Sequence, residues 1–469
     1  FFLFLGVGLV SSFKITLFFS YVLSGIFILA FAKEFFKDFK KAFLVSIFYQ
    51  FATFRIIDVT TRGAFGEAFT YTFLPLLLLG LTYILNNKIR IGFLVSALSA
   101  AFLVLSHNSI SLVFFTISIL FILFFAKRRN HYILTFSSLI IGLFLSSFYW
   151  IPAVLEHKYT YGDLFMKNMY LSHFADLGYL FIPNFVNSPN LWIGHVPVQI
   201  GLVHTLAIIV AIFILFSSRK NKNLIIKVSM FSLIIFFSSL FFMLPISSFL
   251  WERISMLRQF QFPWRFLTAV VISASFASSQ FLVFDFFKKK WIYSILIITV
   301  IFLSIPFWQP QEGYDKIDEN YYWNYPLNTT YSGETDVIWS AGPAKSYPKQ
   351  RVEVISGDGE IKDFYKKSNL HTFTVNAKSA VTLVDHTQYF PGWRVHIDGE
   401  PTEIEFQDIN YRGEIEFKVP KGQHKIRVSF GESKIRLFAD LLSFFGLVIL
   451  FIFWLFSAKV RLQNNINAN

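Results

Sequence analysis

Asp58, Arg62 and Glu67 share one ten-residue stretch, and Arg253, Arg258, Gln261 and Arg265 share another of thirteen, far later in the chain. Between them lies the polar turn Ser106-His107-Asn108-Ser109, followed and preceded by apolar sequence. Guanidinium groups clamp phosphate oxygens two bonds at a time. Carboxylates take up protons or hold a hard divalent cation. The set therefore suits recognition of a phosphate-bearing group beside a proton acceptor. Arg62, His107, Asn108, Arg258, Gln261 and Arg265 are the candidate substrate-binding residues, and Glu67 and Asp58 the candidate catalytic ones. No protein metal ligands stand out, so a divalent cation such as Mg or Mn is the one cofactor these groups would admit. Two blander readings stay open: the arginines, Arg55 and Arg253 included, snorkel to lipid phosphates, and Arg62 forms an ordinary ion pair with Glu67.

The elements that must position these groups are apolar. The chain has 469 residues, 54% of them hydrophobic and only 15% charged, with a mean hydropathy of +0.53. Soluble domains carry about 25% charged residues. The apolar residues come in blocks long enough to cross about 30 Å of hydrocarbon, and lipid-facing helices can hold the 62 phenylalanines. The chain opens inside an apolar run, Phe1–Val10, with no basic stretch before it. That reads as a first helix entered part-way, and not as a signal peptide. Twelve spans are expected, near 1–11, 15–32, 42–55, 68–86, 91–106, 109–126, 132–154, 200–217, 224–247, 266–287, 292–308 and 435–457.

Alternate loops are basic. They carry Lys33, Lys37, Lys40 and Lys41, then Lys88 and Arg90, then Lys127, Arg128 and Arg129. The same set continues with Arg219, Lys220, Lys222 and Lys227, then Lys288, Lys289 and Lys290, and finally Lys459 and Arg461. Positive loops stay on the cytoplasmic side. That places 56–67, 106–109, 155–199, 248–265 and the long segment 309–430 on the other face. This segment holds 14 basic and 18 acidic residues, a net of −4 in a chain of net +13. The positive charge is thus topological, and no nucleic-acid partner is implied. There is no cysteine, so disulfides and thiolate metal sites are excluded.

Beyond about Thr330 the pattern becomes period-two: Arg351–Ile355, Thr372–Val375, Val381–Val384, Trp393–Ile397, Glu403–Phe406, Glu414–Val419 and His424–Phe430. Turn dipeptides such as Pro391-Gly392 and Asp398-Gly399 separate them. These features predict an antiparallel β-sandwich, with Trp393 and Phe390 in core or corner packing. His371, His386, His396 and His424 lack metal spacing and read as strand-surface residues. The loop 155–199 is aromatic, with Tyr159, Tyr161, Phe165, Tyr170, Phe174, Tyr179, Phe181, Phe185 and Trp192. It suits either a membrane interface or a groove for sugar rings. His173, Asp176, His195 and His204 are spaced too irregularly for a metal site. Asn328-Thr-Thr330 matches a glycosylation acceptor but carries no weight.

The fold expected is a polytopic α-helical membrane protein of about twelve spans, the first truncated. A C-terminal extracytoplasmic antiparallel β-sandwich domain precedes the last span. Residues 1–308 form the helical bundle, 309–431 the β-domain, and 432–469 the final helix with a cytoplasmic tail.

Thr61-Arg62-Gly-Ala-Phe-Gly-Glu67, Leu105-Ser-His107-Asn108 and Gln259-Phe-Gln-Phe-Pro-Trp-Arg265 resemble the membrane family labelled "6-pyruvoyl-tetrahydropterin synthase-related". Tyr389-Phe-Pro-Gly-Trp-Arg-Val-His-Ile-Asp-Gly399 and Val419–Arg427 are similar to the C-terminal domain of YfhO-type bacterial membrane proteins. Both groups look like GT-C polytopic glycosyltransferases. The resemblance implies a multi-pass protein of a prokaryotic plasma membrane, moving a sugar from a polyprenyl-phosphate donor at the extracytoplasmic face. The acceptor would be a cell-envelope glycan, lipid or protein. GT-C enzymes usually carry their key acid in a first outer loop, which here would precede Phe1. A transporter or flippase of lipid-linked envelope precursors, or a non-catalytic envelope scaffold, remains open beside it.

Overall fold

The computed structural model describes residues 1–183, 192–193, 196–217, 224–308, 318–324, 333, 335–342 and 346–466. The chain divides into two compact units: 1–150 with 168–319 and 442–469, and 151–167 with 320–441.

The first unit is helical. Its leading helices are α1 (Leu9–Phe36), α2 (Phe39–Gln50), α3 (Thr53–Thr60), α4 (Phe65–Leu85), α5 (Ile89–Ser106), α6 (Asn108–Phe125) and α7 (Arg129–Leu145), and α8 (Ser147–Glu156) starts in it and ends in the second unit. Local chemistry sets the helix starts. Asp38 Oδ1 accepts from the Lys40 and Lys41 amides at 2.9 and 3.3 Å, capping α2. The α1 start is capped from afar, with Glu319 accepting from Leu9 N and Val10 N at 3.0 and 3.3 Å. Later helices run Leu202–Ser217, Leu224–Met243, Leu267–Ser278 and Lys290–Ser304, and the last, Lys434–Ile466, starts in the second unit and ends in the first.

Among the described residues, eight helices are long and apolar enough to cross a membrane, or up to ten if each of two bent pairs is one span. The twelve-span expectation needs correcting at the start. Residues 1–11 make no span of their own: Phe2–Leu5 is a single 3₁₀ turn, stopped at Gly6, whose φ is +79°. The remainder belongs to α1. The segment 42–55 is bent by 40° between α2 and α3, and 132–154 by 68° after α7. The helical stretch Pro263–Val283 is the centre of the bundle, with 94% of its best apolar window buried. Its Ala269, Ser273, Ala274, Ser275, Ala277 and Ser278 are small enough for neighbours to approach closely.

The basic loops meet at one end of the bundle. Lys88 Nζ bonds Glu34 at 2.9 Å, Tyr293 Oη donates to Lys40 O at 2.9 Å, and Lys227 Nζ donates to Phe124 O at 2.9 Å. Glu67 lies in the first turn of α4 and Lys88 just beyond its end. Twenty-one helical residues, about 31 Å, therefore separate the basic end from the carboxylate. Arg219, Lys220 and Lys222 lie outside the described residues.

Two short strands, β1 (Trp192–Ile193) and β2 (Val196–Pro197), pair antiparallel in the helical unit. The second unit carries β3 (Val352–Ser356), β4 (Gly359–Lys367), β5 (Leu370–Ala377), β6 (Val381–Gln388), β7 (Trp393–Ile397), β8 (Glu400–Thr402), β9 (Glu414–Val419) and β10 (Gly422–Phe430). They form a five-stranded sheet, β4-β5-β10-β7-β8, and a three-stranded one, β3-β6-β9, with every pairing antiparallel. Both sheets contribute to one buried apolar cluster: Phe373, Val375, Val395, Ile426 and Val428 from the first, Leu383, Ile415, Phe417 and Val419 from the second. Each such side chain contributes about 1.5–3 kcal/mol when fully buried. Trp393 packs against this cluster, and Phe390 meets Tyr159 edge-on at 5.7 Å. Two expectations fail here. Glu403–Phe406 is not a strand; only Glu405 bridges, to Glu416, and β8 forms just before it. His371 is no surface residue: it is 1% exposed, and its Nδ1 meets Asp385 Oδ2 at 2.6 Å, joining β5 of one sheet to β6 of the other.

Candidate functional site

The site begins with a tight reversal between α3 and α4. The amides of Thr61 and Arg62 both donate to Ile57 O, at 2.9 and 3.1 Å, and Ala64 N donates to Asp58 O at 3.0 Å. Gly63 turns the chain at a φ of +61°, which a side chain would resist. Arg62 is thereby folded back over Asp58, one helical turn earlier, while still reaching forward to Glu67. Gly66 fixes the next contact. A Cβ there would lie 2.7 Å from Ser106 O, so only glycine lets the first turn of α4 lean on the end of α5. That lean sets Glu67 beside His107.

The other half comes from 259–265. Ser109 Oγ donates to Gln259 O at 2.9 Å, tying this segment to α6. Gln261 takes a φ of +61°, unfavourable for a residue with a side chain, and its amide oxygen accepts from Arg265 Nη1 at 3.0 Å. Pro263 then opens the turn leading into the central helix. Phe262 and Trp264 stack at 5.0 Å. Trp264 lies under the Arg62 guanidinium at 4.5 Å, and Phe262 under that of Arg265 at 4.9 Å.

Glu67 is the hub. Arg62 grips it two-pronged, Nη1 to Oε2 at 2.8 Å and Nη2 to Oε1 at 3.1 Å, and Arg265 Nε donates to Oε1 at 2.9 Å. Arg62 Nη1 also donates to Asp58 Oδ1. Two guanidiniums thus face two carboxylates that are 0 and 1% exposed, and the cluster is neutral as a whole. Buried charges of this kind hold only when each is matched. His107 caps α6, its Nδ1 accepting from Ile110 N at 3.3 Å. Its proton therefore sits on Nε2, which faces Glu67 Oε1 at 3.7 Å. Burial holds the His107 pKa down at about 4, with Arg265 and Arg62 adding to the effect and Glu67 opposing it.

Of the predicted residues, Asp58, Arg62, Glu67, His107, Gln261 and Arg265 come together here. Arg258 does not: its Nε donates to Trp251 O at 3.1 Å and its Nη2 to Glu252 O. Asn108 is exposed at the start of α6, and Arg253 is exposed. The pocket expected as basic is corrected to a neutral knot, because Glu67 and Asp58 already occupy the arginines. Arg55 is no rim residue either. It is 2% exposed in a cage of Tyr21, Tyr49 and Tyr71, with ring centroids 4.7, 4.9 and 5.3 Å from its Cζ. The candidate Mg or Mn does not fit the carboxylates. Two arginines hold three of their four oxygens, and no group of three His, Cys, Asp or Glu is found among the described residues.

Tyr71 and Trp264 belong to the site and were not singled out. Trp264 lies inside the 259–265 motif, and Tyr71 follows Glu67 by one helical turn, so the motif points to the first and helical spacing to the second. Asp58 Oδ2, Tyr71 Oη, Trp264 Nε1 and Arg55 Nε are buried without a hydrogen-bond partner. In the 155–199 loop, His173 Nδ1 meets Met169 O at 2.7 Å and Asp176 caps Leu177–Phe181. His204 Nε2 meets Phe48 O at 2.8 Å. Phe185, His195 and Asn328-Thr-Thr330 lie outside the described residues. Compared with family models, curated proteins and solved structures, the chain matches none.

Proposed function

We propose that this chain is a GT-C-type membrane glycosyltransferase, moving a sugar from a polyprenyl-phosphate donor onto a cell-envelope glycan, lipid or protein. The 309–431 segment is read as an extracytoplasmic β-sandwich, and the membrane as a prokaryotic plasma membrane. One observation carries the reading. The three segments on which the resemblance rests, 61–67, 105–108 and 259–265, are distant in sequence yet meet around Glu67. They meet at the bundle end opposite the basic loops, where a lipid-linked phosphate would lie near the headgroups.

Within that reading the two carboxylates differ. Both Glu67 oxygens are taken by arginine, whereas Asp58 keeps one oxygen free. Glu67 then positions Arg62 and Arg265 for the donor phosphate, and Asp58 serves as base. The acceptor oxygen attacks the anomeric carbon while its proton passes to Asp58. The bond from that carbon to the phosphate oxygen breaks, and polyprenyl phosphate leaves with the electron pair. A second reading, a purely architectural lock, is favoured by the complete pairing of both arginines. The test is full-length purified protein given a labelled polyprenyl-phosphate sugar and an envelope extract. A transferase releases polyprenyl phosphate as label enters acceptor. A transporter moves intact donor across vesicles, and a lock or scaffold does neither.

A further inference from the structure

The segment 309–430 is net acidic, yet its cations are not scattered. On the five-stranded sheet, His371, Phe373, Val375 and Ala377 of β5 face the core, so the alternate positions of every paired strand face away from it. Register then fixes the composition of that outer face. Arg427 of β10 stands between Thr372 of β5 and His396 of β7, Lys425 opposite Thr374, and Arg394 opposite Ser429. Arg394 and Arg427 are therefore diagonal neighbours, about 7–8 Å apart at Cα. On β4, Lys362 and Lys367 fall on the same face, as does Tyr365, which is 50% exposed beside Thr372.

This face is a groove of about 880 Å³, lined by Thr372, Thr374, Arg394, His396, Lys425 and Arg427 among others. A bulge in β4 between Lys362 and Tyr365, with Asp363 at a φ of +55°, accompanies it, and bulges bend a sheet. Among the described residues no side-chain hydrogen bond or ion pair reaches Arg394 or Arg427. Asp398, at the rim, is already engaged: it accepts from His424 Nδ1 and from Lys425 N, each at 2.7 Å. His396 Nδ1 is buried in the groove without a partner.

We propose that this groove binds an anionic polysaccharide, with Arg394 and Arg427 on its carboxylate or phosphate groups. Exposed cations with hydroxyls between them fit a chain that bears both anions and hydroxyls. The exposed Tyr365 adds an aromatic face for a sugar ring. A flat anionic bilayer fits less well, because Asp363 and Asp398 stand among the cations on the same face. The inference does not depend on the transferase reading.

The experiment measures binding of fluorescent polygalacturonate and of a glycerol-phosphate polymer to the full-length protein in neutral detergent micelles. Dextran is the neutral control, and vesicles rich in anionic phospholipid test the lipid alternative. At least one anionic polymer should bind tenfold or more tighter than dextran, and the better one identifies the charged group. R394Q/R427Q should weaken it by about ten- to a hundredfold, from the loss of two charge-assisted contacts. K378Q/K418Q removes the same charge elsewhere on the unit and should change binding less than twofold. Wild-type binding should also fall steeply between 50 and 500 mM salt, about as expected for released counterions, a readout that needs no variant. Equal losses in the two double variants, binding of dextran as tight as that of either polyanion, or binding to vesicles alone each overturn the proposal.

Discussion

Arg62 and Arg265 of the helical unit direct their donors to Glu67 and Asp58, whereas Arg394 and Arg427 of the β unit direct theirs to no other described residue. The first pair is buried where water cannot solvate a bare charge, so matching carboxylates must come with it. The second pair is exposed on a sheet surface, where water stabilises it at little cost. Arginine content alone thus says little about ligand binding. What distinguishes the regions is whether the fold supplies the counter-charge or leaves it to come from outside.

The sharpest way to break this contrast is to remove the hub. Glu67→Ala leaves two buried guanidiniums facing each other and should cost about 3–5 kcal/mol. Full-length protein in micelles should lose folded yield or drop markedly in thermal midpoint. A midpoint equal to wild type would mean the knot is solvated and the contrast is false.

Acid probes the same knot without mutation. His107 has a folded pKa of about 4 against an ordinary 6.5, so between those values the unfolded chain binds the extra proton. Stability should be full above pH 6.5 and fall as pH drops toward 4, by at most about 3 kcal/mol from this group. Thermal midpoints of wild type and His107→Gln, taken across that window, should show wild type falling relative to the variant as pH drops. Parallel profiles would remove His107 as the source.

The β unit has its own buried pair, and it should respond on a smaller scale. His371→Ala strips Asp385 Oδ2 of its donor, while Thr387 Oγ1 still serves Oδ1 at 2.7 Å. The expected loss is about 1–3 kcal/mol. Arg427→Gln, on the open face, should stay within about 0.5 kcal/mol of wild type in the same melt. If Arg427→Gln costs as much as His371→Ala, the outer face is structural and its cations are not free for a ligand.

Much of the architecture was legible in the sequence because lipid and sheet burial write strong periodicities. Apolar runs located the helices, and alternation located β3, β5, β6, β7, β9 and β10. Strand β4 escaped because it is exposed along most of its length, so no alternation marks it. The supposed first span failed because two glycines, Gly6 and Gly8, separate Phe2–Leu5 from α1. Site membership was partly legible: charged residues at apolar helix ends flagged Asp58, Arg62, Glu67, His107 and Arg265. Their pairing was not, since it depends on the fit of Gly66 against Ser106 and on the turn at Gln261. Arg55 shows the limit plainly, as nothing local to it announces tyrosines at 21, 49 and 71.

If the knot is a working centre as well as a lock, Asp58 is the residue on which transfer depends. Sugar transfer from a labelled polyprenyl-phosphate donor should be measured for wild type and Asp58→Asn at matched amounts of folded full-length protein. Asparagine preserves the shape and an oxygen toward Arg62 but cannot take up the proton. Turnover of Asp58→Asn should fall by about 10²–10⁴-fold with donor binding retained. Turnover of Asp58→Asn equal to that of wild type would contradict it.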